Sequence, residues 1–152
     1  MTDRYQQAHE QDFRLKYPQA YASGHYFKAK PPPAGKANGL TQMIVNFLMW
    51  SGHRATRIAA SGRIIKEGKR QPSGISLQTN KWIPGPTRKG AADISATIHG
   101  RAVMIEIKVG RDRPSEYQLR EQALERNAGG QYEFISTFEQ FIEWYDSFLL
   151  TL

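Results

Sequence analysis

The chain has 152 residues, with 21 Lys and Arg against 14 Asp and Glu, four His, no Cys and a net charge of +7 at pH 7. That length suits one domain able to bury about two thirds of its unfolded surface. The lack of Cys excludes disulfides and thiolate zinc sites and fits a cytoplasmic setting, while no apolar run reaches membrane-spanning length. The charge is uneven: residues 1–52 sum to +3, residues 53–90 to +8 and residues 91–152 to −4. A basic stretch this concentrated is the electrostatic footprint of a nucleic-acid partner, and equally that of a solvated basic loop.

Residues 1–36 read as a polar and aromatic N-terminal arm that opens without a secretory signal and ends in the stiff linker Pro31-Pro32-Pro33. Its aromatics, from Tyr5 to Phe27, follow no single helical stripe. Packing on the domain, exchange with a second subunit and contact with DNA are all open to it, with loose order the default. The domain proper spans 37–152. Leu40, Ile44, Phe47 and Leu48 fall at helical spacing, and Gly52 stops that helix. A strand follows from about His53 to Ala59. Residues 63–90, rich in Gly, Pro, Lys and Arg, read as a long loop or loose hairpin around Trp82.

Two alternating segments come next, Ala92–Ile98 and Arg101–Lys108, joined by His99-Gly100. Alternation at period two predicts half-buried strands, and a two-residue loop with Gly second predicts a type I′ hairpin. That turn pairs Ile98 with Arg101 and sets Asp93 opposite Glu106. Ile94, Ile98, Val103, Ile105 and Ile107 then face a core, while Asp93, Glu106 and Lys108 share the other face, expected to be exposed and polar. Like charges on facing residues, with Cβ atoms roughly 5 Å apart, are destabilising. A divalent cation would relieve them, since Mg²⁺ is commonly held by one or two carboxylates and several waters. The plainer reading is a solvated face on which Lys108 neutralises Glu106.

Pro114-Ser115 opens a helix to about Ala128, closed by Gly129-Gly130. Ser115-x-x-Gln118 forms a capping box. Tyr132–Ser136 reads as a strand. Thr137 caps a last helix whose Phe138, Phe141, Ile142, Tyr145, Phe148 and Leu149 make one apolar stripe, more than one face obviously needs. The expected core is α/β, in the order α-β-β-β-α-β-α, with helices on both sides of a mixed sheet. The four His show no zinc-ligand spacing, and there is neither a phosphate-binding GxxxxGK[ST] loop nor a dinucleotide fingerprint, so no nucleotide cofactor is expected.

Gly90-Ala91-Ala92-Asp93-Ile94, Glu106-Ile107-Lys108, Ser115-Glu116-Tyr117-Gln118 and Gly129-Gly130 before a strand occur in this order. Over roughly residues 40–137 the chain thereby resembles the PD-(D/E)xK nuclease superfamily, in particular the VRR-NUC nucleases and archaeal-type Holliday junction resolvases. The resemblance implies a restriction-endonuclease-like core and Mg²⁺ or Mn²⁺ on Asp93, Glu106 and the main-chain carbonyl of Ile107. It implies water activation by Lys108, with Gln118 pointing into the site. Arg57 and Ser61-Gly62 resemble a phosphate-binding segment of resolvases. With the basic stretch this makes Arg57, Ser61, Lys66, Lys69, Arg70, Lys81, Trp82, Arg88 and Lys89 the expected nucleic-acid contacts.

The implied activity is metal-dependent cleavage of DNA phosphodiesters, structure-selective for branched or junction DNA in repair or recombination, by a homodimer able to cut two strands. One departure stands out. Such enzymes carry a Glu near the start of the first helix, where this chain has Thr41, and the helix holds no acid. One weakly held metal, an acid such as Glu10 supplied by the arm, or an inactive DNA-binding module would each account for that. Thr41 would alternatively be a helix cap.

Overall fold

The computed structural model describes residues 2–58, 63–70, 76–83 and 89–152, with side chains for 3–58 and 89–152. In chain order the elements are α1 (Thr2–Lys16), α2 (Pro18–Ala22), α3 (Ala37–Trp50), β1 (Arg54–Arg57), β2 (Arg63–Arg70), β3 (Ser76–Ile83), β4 (Ile94–Ile98), β5 (Arg101–Ile107), α4 (Glu116–Asn127), β6 (Gln131–Ile135) and α5 (Phe138–Leu149). The α/β class and a mixed sheet agree with the sequence reading. Two strands, β2 and β3, are additional to the expected order. They pair with each other, so the basic stretch contains a hairpin, and Trp82 stands across from Ile64 within it.

The main sheet has the order β1-β4-β5-β6. β1, β4 and β5 are antiparallel neighbours, and β6 lies parallel to β5. Parallel neighbours need a crossover, which the segment carrying α4 provides. One face of the sheet is dry. Ile94, Ile98, Val103, Ile105 and Ile107 pack there with Leu40, Ile44, Phe47 and Leu48 of α3 and with Phe138, Phe141, Tyr145 and Phe148 of α5. These are the isoleucines and valine that strand alternation assigns to the core. Phe47 meets Phe138, Phe141 and Tyr145 edge-on, at centroid distances of 5.3–5.8 Å. The α5 stripe is thus largely consumed inside the domain, with Ile142 and Leu149 partly buried against the same core.

The N-terminal segment packs on the domain. Tyr5 and Ala8 of α1 are buried in this core, and Tyr5 stands edge-on to Trp50 and Phe138. Alternation of polar and aromatic residues hid that contact: the buried stripe is one Tyr and one Ala among polar residues. The linker also packs closely. A Cβ on Gly39 would lie 2.1 Å from the carbonyl oxygen of Pro33, so only glycine lets the chain cross the start of α3.

Candidate active site

The site begins with the hairpin turn. His99 and Gly100 have φ of +46° and +81°, the pair of left-handed residues that a type I′ turn requires. The register follows: Ile98 pairs with Arg101 and Ile94 with Ile105. One step further, Asp93 lies across from Glu106, just outside β4. The Asp93 carbonyl accepts from the Ile58 amide at 2.7 Å, continuing the β1 pairing. Its carboxylate Oδ2 accepts from the Ile107 amide at 3.0 Å. Ile107 therefore gives its side chain to the core and its N–H to Asp93, and its carbonyl lies between Glu106 and Lys108 along the chain.

The expectation of an exposed polar face does not hold: Asp93 is half-buried, and Glu106 and Lys108 are buried. Glu106 is 6% exposed and Lys108 8%. The difference comes from α4, which lies over this face and leaves the carboxylate little water. Burial, then the nearby Asp93 charge, pushes the Glu106 carboxyl up to about 7, against the opposing pull of Lys108. Lys108 Nζ lies 3.2 Å from Glu106 Oε1 and 3.2 Å from Asp112 Oδ2.

Gln118 both completes the capping box and touches Glu106. Its Oε1 accepts from the Ser115 amide at 2.9 Å, while its own amide donates to the Ser115 hydroxyl oxygen at 3.3 Å. The carboxamide is thereby turned so that its NH₂ end meets Glu106 Oε1 at 2.5 Å. The helix cap fixes which end of the side chain faces the carboxylate.

Tyr132 and Asp112 belong to the site and escape sequence reasoning. Tyr132 pairs with Met104 in the parallel register, which puts it on the Glu106 face. It is buried, and its hydroxyl donates to the Gly90 carbonyl at 3.1 Å. Burial, followed by the Glu106 and Asp93 charges, raises the Tyr132 pKa further above its ordinary value. No local pattern signals this, because the pairing of β6 with β5 spans the whole α4 crossover. Asp112, four residues from Lys108 in a loop, carried only the weak hint of opposite charge.

No known family model, curated protein or solved structure matches this chain.

The other sequence candidates are placed as follows. Thr41 is buried in α3, and its hydroxyl donates to the Ala37 carbonyl at 2.8 Å. It does not cap the helix, whose N-cap is Lys36. Glu10 accepts from the Tyr21 hydroxyl at 2.6 Å, within the N-terminal aromatic cluster. Arg57 pairs with Ile94, which assigns it to the α3 side of the sheet, and it donates to the Asn38 side chain at 2.5 Å. It is not on the face that carries Glu106. Lys89 sits over the Tyr117 ring, 5.2 Å from its centroid. Ser61 and Arg88 lie outside the described residues, as do the side chains of Lys66, Lys69, Arg70, Lys81 and Trp82.

The donor set suits a hard cation with retained water. Two carboxylates face each other, and the buried one is held against ionisation partly by the other's charge. Their hydrogen bonds use Oδ2 of Asp93 and Oε1 of Glu106. No group of three or more His, Cys, Asp or Glu gathers among the described residues, so the protein would supply only part of a coordination sphere.

Proposed function

We propose that the protein is a Mg²⁺- or Mn²⁺-dependent endonuclease that hydrolyses DNA phosphodiesters on a restriction-endonuclease-like core, acting on branched or junction DNA. The observation that carries the reading is the meeting of Asp93, Glu106 and Lys108 on one sheet face, with the two carboxylates across from each other and the ammonium 3.2 Å from Glu106.

Asp93 and Glu106 would hold the cation, with the Ile107 carbonyl as a further ligand. When bound, the cation supplies Lewis-acid polarisation of the scissile phosphate and a water of lowered pKa. The Ile107 amide and the Gln118 carboxamide keep each carboxylate in place from behind. Lys108, released from Glu106, offers its ammonium to the attacking water and to charge developing on phosphorus. Phosphate contacts from the 53–90 stretch would give affinity without sequence readout. Cutting both strands of a junction calls for two copies, each with a complete site.

Nicking of branched, flapped and linear DNA in Mg²⁺ and Mn²⁺ tests the proposal. Cleavage that needs metal and is lost in Asp93→Ala supports it; an inert wild-type protein excludes it. A non-catalytic DNA-binding module is the second reading. It is favoured by the buried, back-bonded Thr41 where related enzymes carry Glu, and by the Lys108–Glu106 ion pair. DNA binding without metal-dependent cleavage in any substrate would select it.

A further inference from the structure

Lys89, Gly90 and Tyr117 make a small cluster beside the Gln118 end of α4. Tyr117 precedes Gln118 in the first turn of α4, and its residue surface is 49% exposed. Lys89 Nζ sits over the ring, 5.2 Å from its centroid. The backbone beneath is locked. Gly90 has φ of +86°, and a Cβ there would lie 2.6 Å from the Tyr117 carbonyl oxygen. The Tyr132 hydroxyl then holds the Gly90 carbonyl from the Glu106 side, at 3.1 Å. A left-handed glycine, a buried tyrosine and a capped helix thus hold an exposed aromatic ring one residue from the group that touches Glu106.

Exposed Arg111 and Arg113 lie in the segment between Lys108 and the Ser115 cap, while Glu121 of the same helix stands against Gly90. An aromatic face beside a cation is the chemistry of a base-stacking platform. Every nucleobase has a π-face, whereas only an unpaired or splayed base can offer it. In continuous duplex that face is already covered by its neighbours.

We propose that Tyr117, with Lys89, is the platform on which an unpaired base next to the scissile phosphate stacks, so that the site selects nucleic acid with a single-stranded or branched segment over continuous duplex. Stacking displaces Lys89 from the ring face it covers and leaves its ammonium to meet the adjoining phosphate. This rests on the nuclease reading of the same site, and the test separates the two.

Binding is measured without divalent ion, using duplex, single-stranded and flapped oligonucleotides with 2-aminopurine at the first unpaired position. Wild-type protein should quench the flap and single-strand probes and bind them more tightly than duplex. Tyr117→Leu, which keeps bulk without a π-face, should weaken flap and single-strand binding about tenfold and abolish the quench, with duplex affinity unchanged. Tyr117→Phe should behave as wild type. Lys89→Gln should lower flap affinity by a smaller factor and reduce its salt dependence. Equal affinity of wild type and Tyr117→Leu for the flap, an equal loss on all three substrates, or no binding to any of them would overturn the platform. Because no metal is present, failure to cleave in Mg²⁺ sinks the nuclease reading and leaves this result standing. Normal cleavage by Tyr117→Leu with unchanged flap preference sinks only the platform.

Discussion

The two faces of the β4–β5 hairpin share one backbone and one register, yet they are held by different physics. On the α3–α5 face, Ile94, Ile98, Val103, Ile105 and Ile107 are buried among other apolar side chains, and each makes its contribution by shape and area alone. On the opposite face Glu106 and Lys108 are nearly as buried, but they are held by a hydrogen bond and ion pairs. Gln118 and Lys108 both approach one oxygen of Glu106, and Asp93 takes an amide. One alternating strand pair thus carries an apolar core and a buried polar centre back to back. The dry face supplies the rigidity that lets the polar face keep like charges together.

The sharpest way to break the comparison is to remove charge from the polar face alone. Asp93→Asn keeps an acceptor for the Ile107 amide, so the fold should survive while metal-dependent cleavage falls by orders of magnitude. NMR titration of Glu106 should show its midpoint drop, since the Asp93 charge helps hold it up. An unmoved midpoint would mean that burial alone sets it.

Ile105→Ala attacks the other face. It should cost about 2–5 kcal/mol in chemical denaturation, as a truncation within a packed core. A cost well under that range would show that the site is not backed by a tight core.

Glu106 links the faces to pH. Its carboxyl keeps a proton to about 7 in the folded chain, against an ordinary value of 4.5, so the folded state binds more protons between these limits. Stability of the metal-free protein should therefore be fullest below the lower value and decline as pH rises through the upper one. With about 1.4 kcal/mol per pKa unit, the loss is at most about 3.5 kcal/mol. Glu106→Gln should flatten this decline in thermal melts. Mg²⁺ competes with the same proton, so its stabilisation should grow from about pH 5 to about pH 8. A Mg²⁺ shift independent of pH would remove Glu106 as a ligand.

The smallest effect comes from the cap. Ser115→Ala should lower stability by about 1 kcal/mol. The main-chain amide of residue 115, which orients the Gln118 carboxamide, survives this change, so cleavage by the folded variant should stay near the wild-type rate. A fall in cleavage beyond what the stability loss explains would show that the cap hydroxyl also holds Gln118 against Glu106.

Much of this was legible beforehand. His99-Gly100 specified a turn, the turn specified a register, and the register placed Asp93 against Glu106. The helix limits of α4 and α5 followed from Ser115 and Thr137, whose side chains accept from the amides of Gln118 and Gln140. The docking of α1 was not legible, because Tyr5 and Ala8 give too sparse a stripe to register as amphipathic. Nor was the placement of Arg57, which depends on β1 pairing with β4 across more than thirty residues.

The sequence by itself determined which residues alternate, where helices start and which two acids meet, because those depend on periods and caps within a few residues. Only the tertiary structure decided that Glu106 and Lys108 are buried, that Gln118 serves cap and carboxylate together, and that Tyr132 closes the site on Gly90. These rest on β6 lying parallel to β5 and on α4 covering the polar face. Burial and desolvation depend on what arrives from elsewhere in the chain, and no local pattern of residues carries that information.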